Sequence, residues 1–173
     1  MVFLLILQAL WFIFPAYVAN ASPVVIRGQK PLDFGKKLSR YRILGDGKTF
    51  EGTIGGIAFG TLTGVLQIYL FGLLELQNFA LTEHSIELII ALSTGAIIGD
   101  IVGAFIKRRL GIARGEPALL LDQLDFLVLS LLFASLVTAI STQMIIVLVI
   151  ITPILHLATN IFAYIMKMKS RPW

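Results

Sequence analysis

Five long apolar stretches constrain this chain more than any other feature of its sequence. Each has about 17 residues or more, enough for a helix rising about 1.5 Å per residue to cross a hydrocarbon layer of about 30 Å. Only 14% of the residues are charged, against about 25% in ordinary soluble domains. We therefore predict an all-α integral membrane protein in which residues 1–173 form a single membrane domain, with five transmembrane helices at about 2–21, 53–74, 86–106, 119–140 and 144–166.

The composition also excludes several kinds of chemistry. The sequence has no cysteine, which rules out a disulfide framework, a thiolate nucleophile and a cysteine-based metal site. With most of its 173 residues assigned to the bilayer, the chain leaves no room for a separate soluble catalytic domain. Any reaction must therefore take place at helix ends and in the loops that join them.

The basic residues predict the orientation of the chain. Of 14 Lys and Arg residues, seven lie between Arg27 and Lys48, four between Lys107 and Arg114, and three between Lys167 and Arg171. Excess Lys and Arg remains on the cytoplasmic side of a membrane. We therefore predict a multi-pass protein of the cell membrane with its N-terminus outside, its C-terminus in the cytoplasm, two long cytoplasmic loops (22–52 and 107–118), and an active site that faces the cytoplasm.

Three acidic residues lie where a lipid-facing helix would not carry them. Asp100 falls inside the third predicted helix, where a carboxylate costs about 2.5 to 3.5 kcal/mol on insertion scales, and Asp122 and Asp125 share one face at the start of the fourth. Their convergence would form an all-oxygen set suited to Mg²⁺. The alternative is that Asp122 and Asp125 are a solvated first turn favoured by the helix dipole.

The first cytoplasmic loop combines cations with glycines. Gly45-Asp46-Gly47-Lys48-Thr49 precedes a predicted helix start and resembles the tail of a P-loop, but Arg42 stands where that motif needs its first glycine. The segment is therefore only a weak phosphate-binding signal. The rest of the loop, with Lys36, Lys37 and Arg40, equally suits binding of anionic lipid headgroups.

Two polar stripes lie within the predicted spans. We interpret the glycines of the second span as a surface for close helix packing, and Thr152, His156 and Asn160 of the fifth as structural. Asn20, at the cytoplasmic end of the first span, lies at the right depth to join a site.

Several of these segments together resemble the CDP-archaeol synthase family, within the wider CDP-diglyceride synthetase group. The resemblance covers both long loops and every span except the first and the last. The segments that carry it are Pro31-Leu32-Asp33, residues 42–52, Gly99-Asp100-Ile101-Val102-Gly103, Lys107-Arg108-Arg109, Gly115-Glu116 and Leu121-Asp122-Gln123-Leu124-Asp125.

The resemblance implies a reaction and its participants. Members of the family join CTP to 2,3-bis-O-(geranylgeranyl)-sn-glycerol 1-phosphate, an isoprenoid ether lipid phosphate of archaeal membranes, giving CDP-archaeol and pyrophosphate with Mg²⁺. Asp100, Asp122 and Asp125 would hold one or two Mg²⁺ ions, and Lys107 would join them as a catalytic residue. Besides CTP and the lipid phosphate, we expect contact with membrane lipids and none with nucleic acid, and a homodimer is compatible with the sequence.

The resemblance also indicates how CTP would be held. Lys48 and Thr49 would contact the triphosphate, while Lys107, Arg108 and Arg109 would contact either the triphosphate or the lipid phosphate. Recognition of cytosine would fall to groups that match its amine and ring nitrogen. The candidates for that role are Asn20, Asp46 and the backbone around Gly45 and Gly47.

Two alternatives make different predictions. A cation-coupled transporter should have polar groups reaching the outer face and an internal repeat, whereas here the acids cluster towards the cytoplasm and the halves show no repeat. A CDP-alcohol phosphotransferase should carry an Asp-Gly-x-x-Ala-Arg signature, which the sequence lacks. The sequence therefore favours the cytidylyltransferase.

Overall fold

The computed structural model describes residues 2–113, 116–118 and 120–168. Arg114, Gly115, Leu119 and Arg171, which contribute to the predictions above, lie outside the described residues. The described chain is helical apart from a small hairpin and the connections, which confirms the all-α class. Its elements are α1 (Val2–Ile26), β1 (Lys37–Leu38), β2 (Tyr41–Arg42), α2 (Phe50–Leu73), a 3-10 turn (Leu76–Phe79), α3 (Ile86–Arg109), α4 (Leu121–Ser135) and α5 (Thr142–Ile165).

Four of the described helices, α1, α2, α3 and α5, are long and apolar enough to cross a membrane. The fourth helix in chain order, α4, has 15 residues and is therefore about 22 Å long. The prediction that it continues to residue 140 is wrong. The backbone N–H groups of Leu136, Val137 and Thr138 donate to the carbonyls of Phe133 and Ala134 and close the helix, although the following residues remain apolar.

Helix ends differ from the predicted ones mainly beside the basic loop. α1 continues to Ile26 instead of stopping at 21, and α3 continues through Arg109 instead of 106. α2 begins at Phe50 because Thr49 caps it, with the Thr49 hydroxyl accepting the Gly52 N–H at 3.1 Å. The first loop is consequently shorter than predicted and holds the antiparallel hairpin β1–β2, in which Lys37 pairs with Arg42.

Helix α1 lies at the centre of the bundle and contacts each of the other four helices. Its buried residues recur every three or four positions, the spacing of one helix face, and they pack against apolar residues of α3, α4 and α5. The residues of α1 in this apolar core are Ala9, Phe12, Ile13, Ala16 and Ala19, and their partners include Leu92, Ala96, Phe126, Leu127 and Leu148.

Glycines allow two pairs of helices to approach closely. A Cβ on Gly60 of α2 would lie 2.7 Å from the Pro15 carbonyl of α1, and one on Gly95 of α3 would lie 2.7 Å from Ser130 Cα of α4. Both distances are too short for a real side chain. Close packing, predicted for the glycines of α2, is therefore confirmed, and α3 has a second such face towards α4.

The bundle end away from the hairpin is closed by neutral hydrogen bonds. Pro15 has no N–H to donate to the Trp11 carbonyl one turn earlier, and Gln67 Nε2 of α2 donates to that carbonyl instead, at 2.8 Å. Trp11 Nε1 donates to the Thr82 carbonyl at 2.9 Å, and His84 Nε2 lies 3.2 Å from the Phe12 carbonyl. These bonds attach α2 and the connection before α3 to α1.

The polar face of α5 has structural partners, as predicted. Thr152 is buried, and its hydroxyl forms a hydrogen bond of 2.7 Å with the Tyr17 hydroxyl of α1. Asn160 Nδ2 lies 3.2 Å from His156 Nδ1 on the same helix. Many large apolar side chains of α5, among them Ile146, Ile150, Ile154 and Phe162, are exposed and are suited to contact with lipid.

Candidate active site

A polar cavity of about 170 Å³ lies where the basic loop meets the ends of α3 and α4. It is smaller than the roughly 300–1,000 Å³ typical of a site that encloses a whole ligand, so it suits the phosphate part of a larger molecule. The structure brings Asp100, Asp122 and Asp125 to this one cavity. Its full lining is Leu44, Gly45, Gly47 and Lys48 of the loop, Asp100, Ala104, Lys107 and Arg108 of α3, and Asp122 and Asp125 of α4.

Two of the three carboxylates are paired with lysines from other segments. Lys48 Nζ of the loop lies 2.5 Å from Asp100 Oδ2 of α3. Lys107 Nζ of α3 donates to both carboxylate oxygens of Asp122 of α4, at 2.8 and 2.9 Å, and to the Glu116 carbonyl at 2.8 Å. The two pairs therefore attach the loop to α3 and α3 to α4 while balancing charge at the cavity.

Asp125 differs from the other two acids. Among the described residues no Lys or Arg forms an ion pair with it, and its Oδ1 accepts the N–H of Phe126 at 2.6 Å. Its carboxylate occupies the space left by Gly103 of α3, because a Cβ there would overlap Asp125 Oδ2. The glycine face of α3 thus makes room for this acid as well as for the backbone of α4.

The chemistry of the donors fits Mg²⁺. Within residues 2–113, 116–118 and 120–168, no three His, Asp or Glu side chains lie close enough to share one ion. Mg²⁺ commonly needs only one or two protein carboxylates, with substrate phosphates and water as its other ligands. Carboxylate oxygens on two facing helices, beside cations that could meet phosphate, satisfy that requirement.

The three consecutive cations at the end of α3 lie in different places. A helix turns by about 100° per residue, so Lys107 and Arg108 lie near the Asp100 face and Arg109 lies opposite. Lys107 and Arg108 line the cavity. Arg109, predicted to bind phosphate, instead donates to the carbonyls of Leu38 at 2.8 Å and Arg42 at 2.7 Å, so it anchors the hairpin to the end of α3.

Arg108 of α3 lies beside Gly45 of the loop. Its Nη1 donates to the Ile112 carbonyl, and its buried Nε has no hydrogen-bond partner among the described residues. A Cβ on Gly45 would lie 3.6 Å from that Nε, and Gly45 has a positive φ of 92°, a conformation that favours glycine. The loop backbone therefore passes directly beside an unpaired guanidinium N–H at the cavity.

Asp33 organises the loop, a role that the sequence analysis missed. Its carboxylate accepts two N–H groups of Arg42, at 2.5 and 3.1 Å, and the backbone N–H groups of Gly35, Leu44 and Gly45, at 3.0 to 3.1 Å. The Arg42 guanidinium, together with these backbone donors, holds the pKa of Asp33 far below its usual value. The signal was present, because Asp-x-Gly with a bond from residue i+2 is an Asx turn.

The remaining predicted residues lie around the cavity but do not line it. Asp46 is exposed and accepts the Arg42 Nη1 at 2.7 Å. Thr49 is buried as the cap of α2 and lines a smaller cavity behind Lys48, together with Pro23. Asn20 lies on α1 about one turn before Pro23 and lines neither cavity.

Apolar helices with carboxylates and cations gathered at one end define an integral membrane protein with a site suited to a phosphate-bearing substrate. Comparison with known proteins gives the particular family. CarS-like, the CDP-archaeol synthases, matches residues 2–173 of this chain. The chain belongs to this family, as the resemblance in its sequence predicted.

Individual relatives are similar in sequence to this protein over nearly the whole length of the chain. The CDP-archaeol synthase of Thermococcus gammatolerans is 50% identical, with 95% of each chain covered, and that of Methanocaldococcus jannaschii is 45% identical over 100% of both. A solved structure described as an intramembrane enzyme for archaeal membrane lipid biosynthesis is 40% identical, with a TM-score of 0.77 over 90% of this chain and 94% of that one.

The family also settles the choice between an enzyme and a transporter. CDP-archaeol synthases are CTP-dependent cytidylyltransferases of archaeal lipid biosynthesis, and this chain is therefore an enzyme of that class. The prediction of an enzyme is confirmed, and the transporter alternative is not favoured.

Proposed function

We propose that the protein transfers a cytidylyl group from CTP to 2,3-bis-O-(geranylgeranyl)-sn-glycerol 1-phosphate in an Mg²⁺-dependent reaction that yields CDP-archaeol and pyrophosphate. The observation that carries the proposal is the single cavity shared by Asp100, Asp122 and Asp125 with Lys48, Lys107 and Arg108. Carboxylates can hold a metal ion and cations can bind phosphate, so this combination suits two phosphate-bearing reactants that repel each other. The relatives are CDP-archaeol synthases, which supports the choice of lipid.

The proposed orientation places this cavity at the cytoplasmic face, where CTP is available. Three basic segments support this orientation: the first loop, the end of α3 and Lys167 after α5. Because successive helices cross the membrane in opposite directions, all three segments lie on the same side. The connection 74–85, at the opposite end, contains no Lys or Arg. In this orientation the N-terminus is outside and the C-terminus is cytoplasmic. All five helices then cross the membrane, with α4 embedded between α3 and α5.

The proposed reaction is an in-line displacement at the α-phosphorus of CTP. An oxygen of the lipid phosphate forms the new bond, and the bond from the α-phosphorus to the bridging oxygen of pyrophosphate breaks, its electrons leaving with pyrophosphate. Because both reactants are anions, the main task of the protein is to place them and to neutralise their charge. One or two Mg²⁺ ions, each held by one or two of the carboxylates of Asp100, Asp122 and Asp125, would supply further neutralisation of phosphate oxygens and of the leaving group.

The side chains of the cavity divide this task. Lys48 and Arg108 would bind triphosphate oxygens beside the backbone of Gly45 and Gly47, where the N–H groups of a glycine-rich loop suit an anion. Lys107 lies on the same face of α3 as Asp100 and would stabilise charge at the reacting phosphates. Thr49 would act by fixing the loop against α2.

The remaining proposed contacts involve the base and the lipid chains. Asn20 and Asp46 are proposed to read cytosine together with the loop backbone. The geranylgeranyl chains need no polar partner and would lie along the apolar helix faces.

Turnover by the purified protein tests the proposal. The protein is incubated with α-labelled CTP, Mg²⁺ and the ether lipid phosphate, and we expect CDP-lipid and pyrophosphate in equal amounts, with loss of both after chelation of the metal. Asp100→Asn and Asp125→Asn should each lower kcat by about 10²–10³-fold, since each removes a carboxylate ligand from the proposed Mg²⁺ site that would neutralise the reacting phosphates. Glu75→Gln, an exposed change at the other end of the bundle, should leave turnover unchanged.

Two outcomes would contradict parts of this proposal. A wild-type protein that binds CTP and lipid phosphate but releases no pyrophosphate would contradict the reaction itself. Full activity in Asp100→Asn or Asp125→Asn would remove that acid from the metal site and leave the reaction standing. A thermal melt of each variant distinguishes loss of chemistry from loss of fold.

A further inference from the structure

Beside the cavity lies an exposed segment, residues 34–41, which includes β1 and the start of β2 and which we name the hairpin surface. Every residue in it is exposed. Three are cations, and none of these three forms an ion pair with a described residue: Lys36, Lys37 and Arg40. Three others are large apolar or aromatic side chains: Phe34, 72% exposed, Leu38, 51%, and Tyr41, 42%.

Two contacts fix the depth of this surface relative to the membrane. The Phe34 ring lies 5.3 Å, centroid to centroid, from Phe50, the first residue of α2. Arg109, the last residue of α3, donates to the carbonyls of Leu38 and Arg42 in the hairpin. The hairpin surface therefore lies level with the ends of two long apolar helices, which is the depth of the lipid headgroups.

Hydrogen bonds to Asp33 and Arg109 also hold the hairpin in place. Asp33 binds Arg42 and the backbone on the far side of the hairpin, and Arg109 binds both strands. The cations and the large apolar side chains of the hairpin surface are thus held together at a fixed depth relative to the membrane. Cations attract anionic headgroups, and aromatic and apolar side chains enter the boundary between headgroups and acyl chains.

We propose that the hairpin surface binds anionic lipid headgroups of the surrounding bilayer. Charge complementarity favours this partner over a second copy of the chain, because two such surfaces would bring six cations together. The same loop continues into Gly45 and Lys48 at the cavity, so lipid charge would help to set the position of the residues proposed to hold CTP. That last consequence rests on the proposed function; the binding itself does not.

A probe on the hairpin tests the binding without measuring turnover. The chain has no cysteine, so Ser39→Cys at the exposed turn between the strands gives one labelling site for a bimane fluorophore. The labelled protein is placed in nanodiscs of phosphatidylcholine alone or with added phosphatidylglycerol. Anionic lipid should reduce quenching by an aqueous quencher by about fivefold or more, the effect expected of one attracted charge, and high salt should reverse it.

Matched variants identify the residues responsible. K36Q/K37Q/R40Q in the Ser39→Cys background should remove the response to phosphatidylglycerol. R27Q/K30Q/K167Q removes three cations at other helix ends and should keep the response. An equal response to both lipid compositions in the unsubstituted hairpin, or equal loss in both triple variants, would overturn the proposal.

Two further outcomes would assign the surface to another partner and would likewise overturn the proposal. A response that needs added ether lipid phosphate would make the substrate the occupant. Excimer emission from a sample in which the Ser39→Cys site carries pyrene in place of bimane would indicate a second copy. Cytidylyl transfer is measured separately in the same nanodiscs, so a failed reaction and a failed headgroup interaction give different results.

Discussion

The two ends of the helix bundle are joined by different interactions. At the cavity end, the contacts between segments are ionic, including Lys48 with Asp100 and Lys107 with Asp122. At the opposite end, neutral groups donate to backbone carbonyls, as Gln67 does to Trp11. Neutral hydrogen bonds join helices at one end of this bundle, and under the proposed function the charges at the cavity end serve to bind charged reactants.

Among substitutions that leave every charged group of the cavity in place, the largest expected effect comes from filling the space that holds Asp125. Gly103→Ala would place a Cβ where the Asp125 carboxylate lies, and displacement of a reacting group by about 1 Å costs about 10²-fold in rate. We expect kcat to fall by about that factor, measured as release of pyrophosphate. Gly72→Ala is the matched control, because a Cβ there has no neighbour within 4 Å. Wild-type turnover in Gly103→Ala would show that the position of Asp125 does not matter.

A smaller effect is expected from Asp33, which acts through the loop. Asp33→Asn keeps the shape of the side chain but removes the charge that holds Arg42 and the N–H groups of Leu44 and Gly45. We expect KM for CTP to rise by about tenfold, since a hydrogen bond to a charged group contributes about 1.5–3 kcal/mol, while kcat changes less. Glu83→Gln, exposed at the other end, should change neither constant.

The ionisation of Asp33 also gives that variant a pH signature. Because the folded protein lowers the pKa of this carboxyl, its contribution to stability is present above the usual carboxyl pKa of about 4 and is lost as pH falls through the folded value. Wild-type protein should therefore lose stability in acid more steeply than Asp33→Asn. Parallel melting curves at acidic pH would contradict the assigned role.

At the neutral end, substitution should affect stability but not catalysis. Gln67→Leu leaves the Trp11 carbonyl without a donor in an apolar environment, at a cost of about 1–3 kcal/mol. The melting temperature should fall by about 2–4 °C for each kcal/mol, while kcat and KM remain at wild-type values below the melt. Gln77→Leu, exposed in the 3-10 turn, is the control. A large loss of turnover would show that the two ends are coupled.

The smallest effect concerns His84 and has a defined sign. Burial lowers the pKa of this imidazole, with hydrogen bonds to the Phe12 and Thr82 backbone opposing the shift. The unfolded chain then takes up a proton near pH 6.5 before the folded protein does, so stability falls as pH drops below that value. Melting temperatures from neutral to mildly acidic pH should fall for wild type and remain flatter for His84→Asn. A flat wild-type profile would contradict burial of a neutral imidazole.

Much of the fold could be predicted because a membrane-spanning helix must be long enough to cross the bilayer and apolar along that length. The five helices and the approach of Asp100 to Asp122 and Asp125 follow from apolar length and from acids that lipid would not tolerate. The early end of α4 could not be predicted, because residues 136–140 are as apolar as the helix itself. Hydropathy indicates which residues avoid water, and it does not indicate where hydrogen bonds between successive turns stop.

The parts of the site that were missed depend on contacts distant in sequence. Strands of two residues have no periodicity to detect, and the hairpin is fixed by Asp33 and Arg109 from elsewhere in the chain. The different roles of Arg108 and Arg109 could have been predicted from a helical projection, in which Arg108 lies near the face of Asp100 and Arg109 lies on the opposite face. The pairing of Lys48 with Asp100 required knowledge of where the loop folds back.

The shortness of α4 has a consequence for the lipid around it. At about 22 Å, this helix falls short of a hydrocarbon layer of about 30 Å, and a bilayer beside a short span becomes thinner to match it. We expect this thinning to reach the cavity end of the protein, where Asp122 and Asp125 begin α4. The phosphate of a neighbouring lipid would then lie nearer to the level of these carboxylates, while its chains remain in the bilayer.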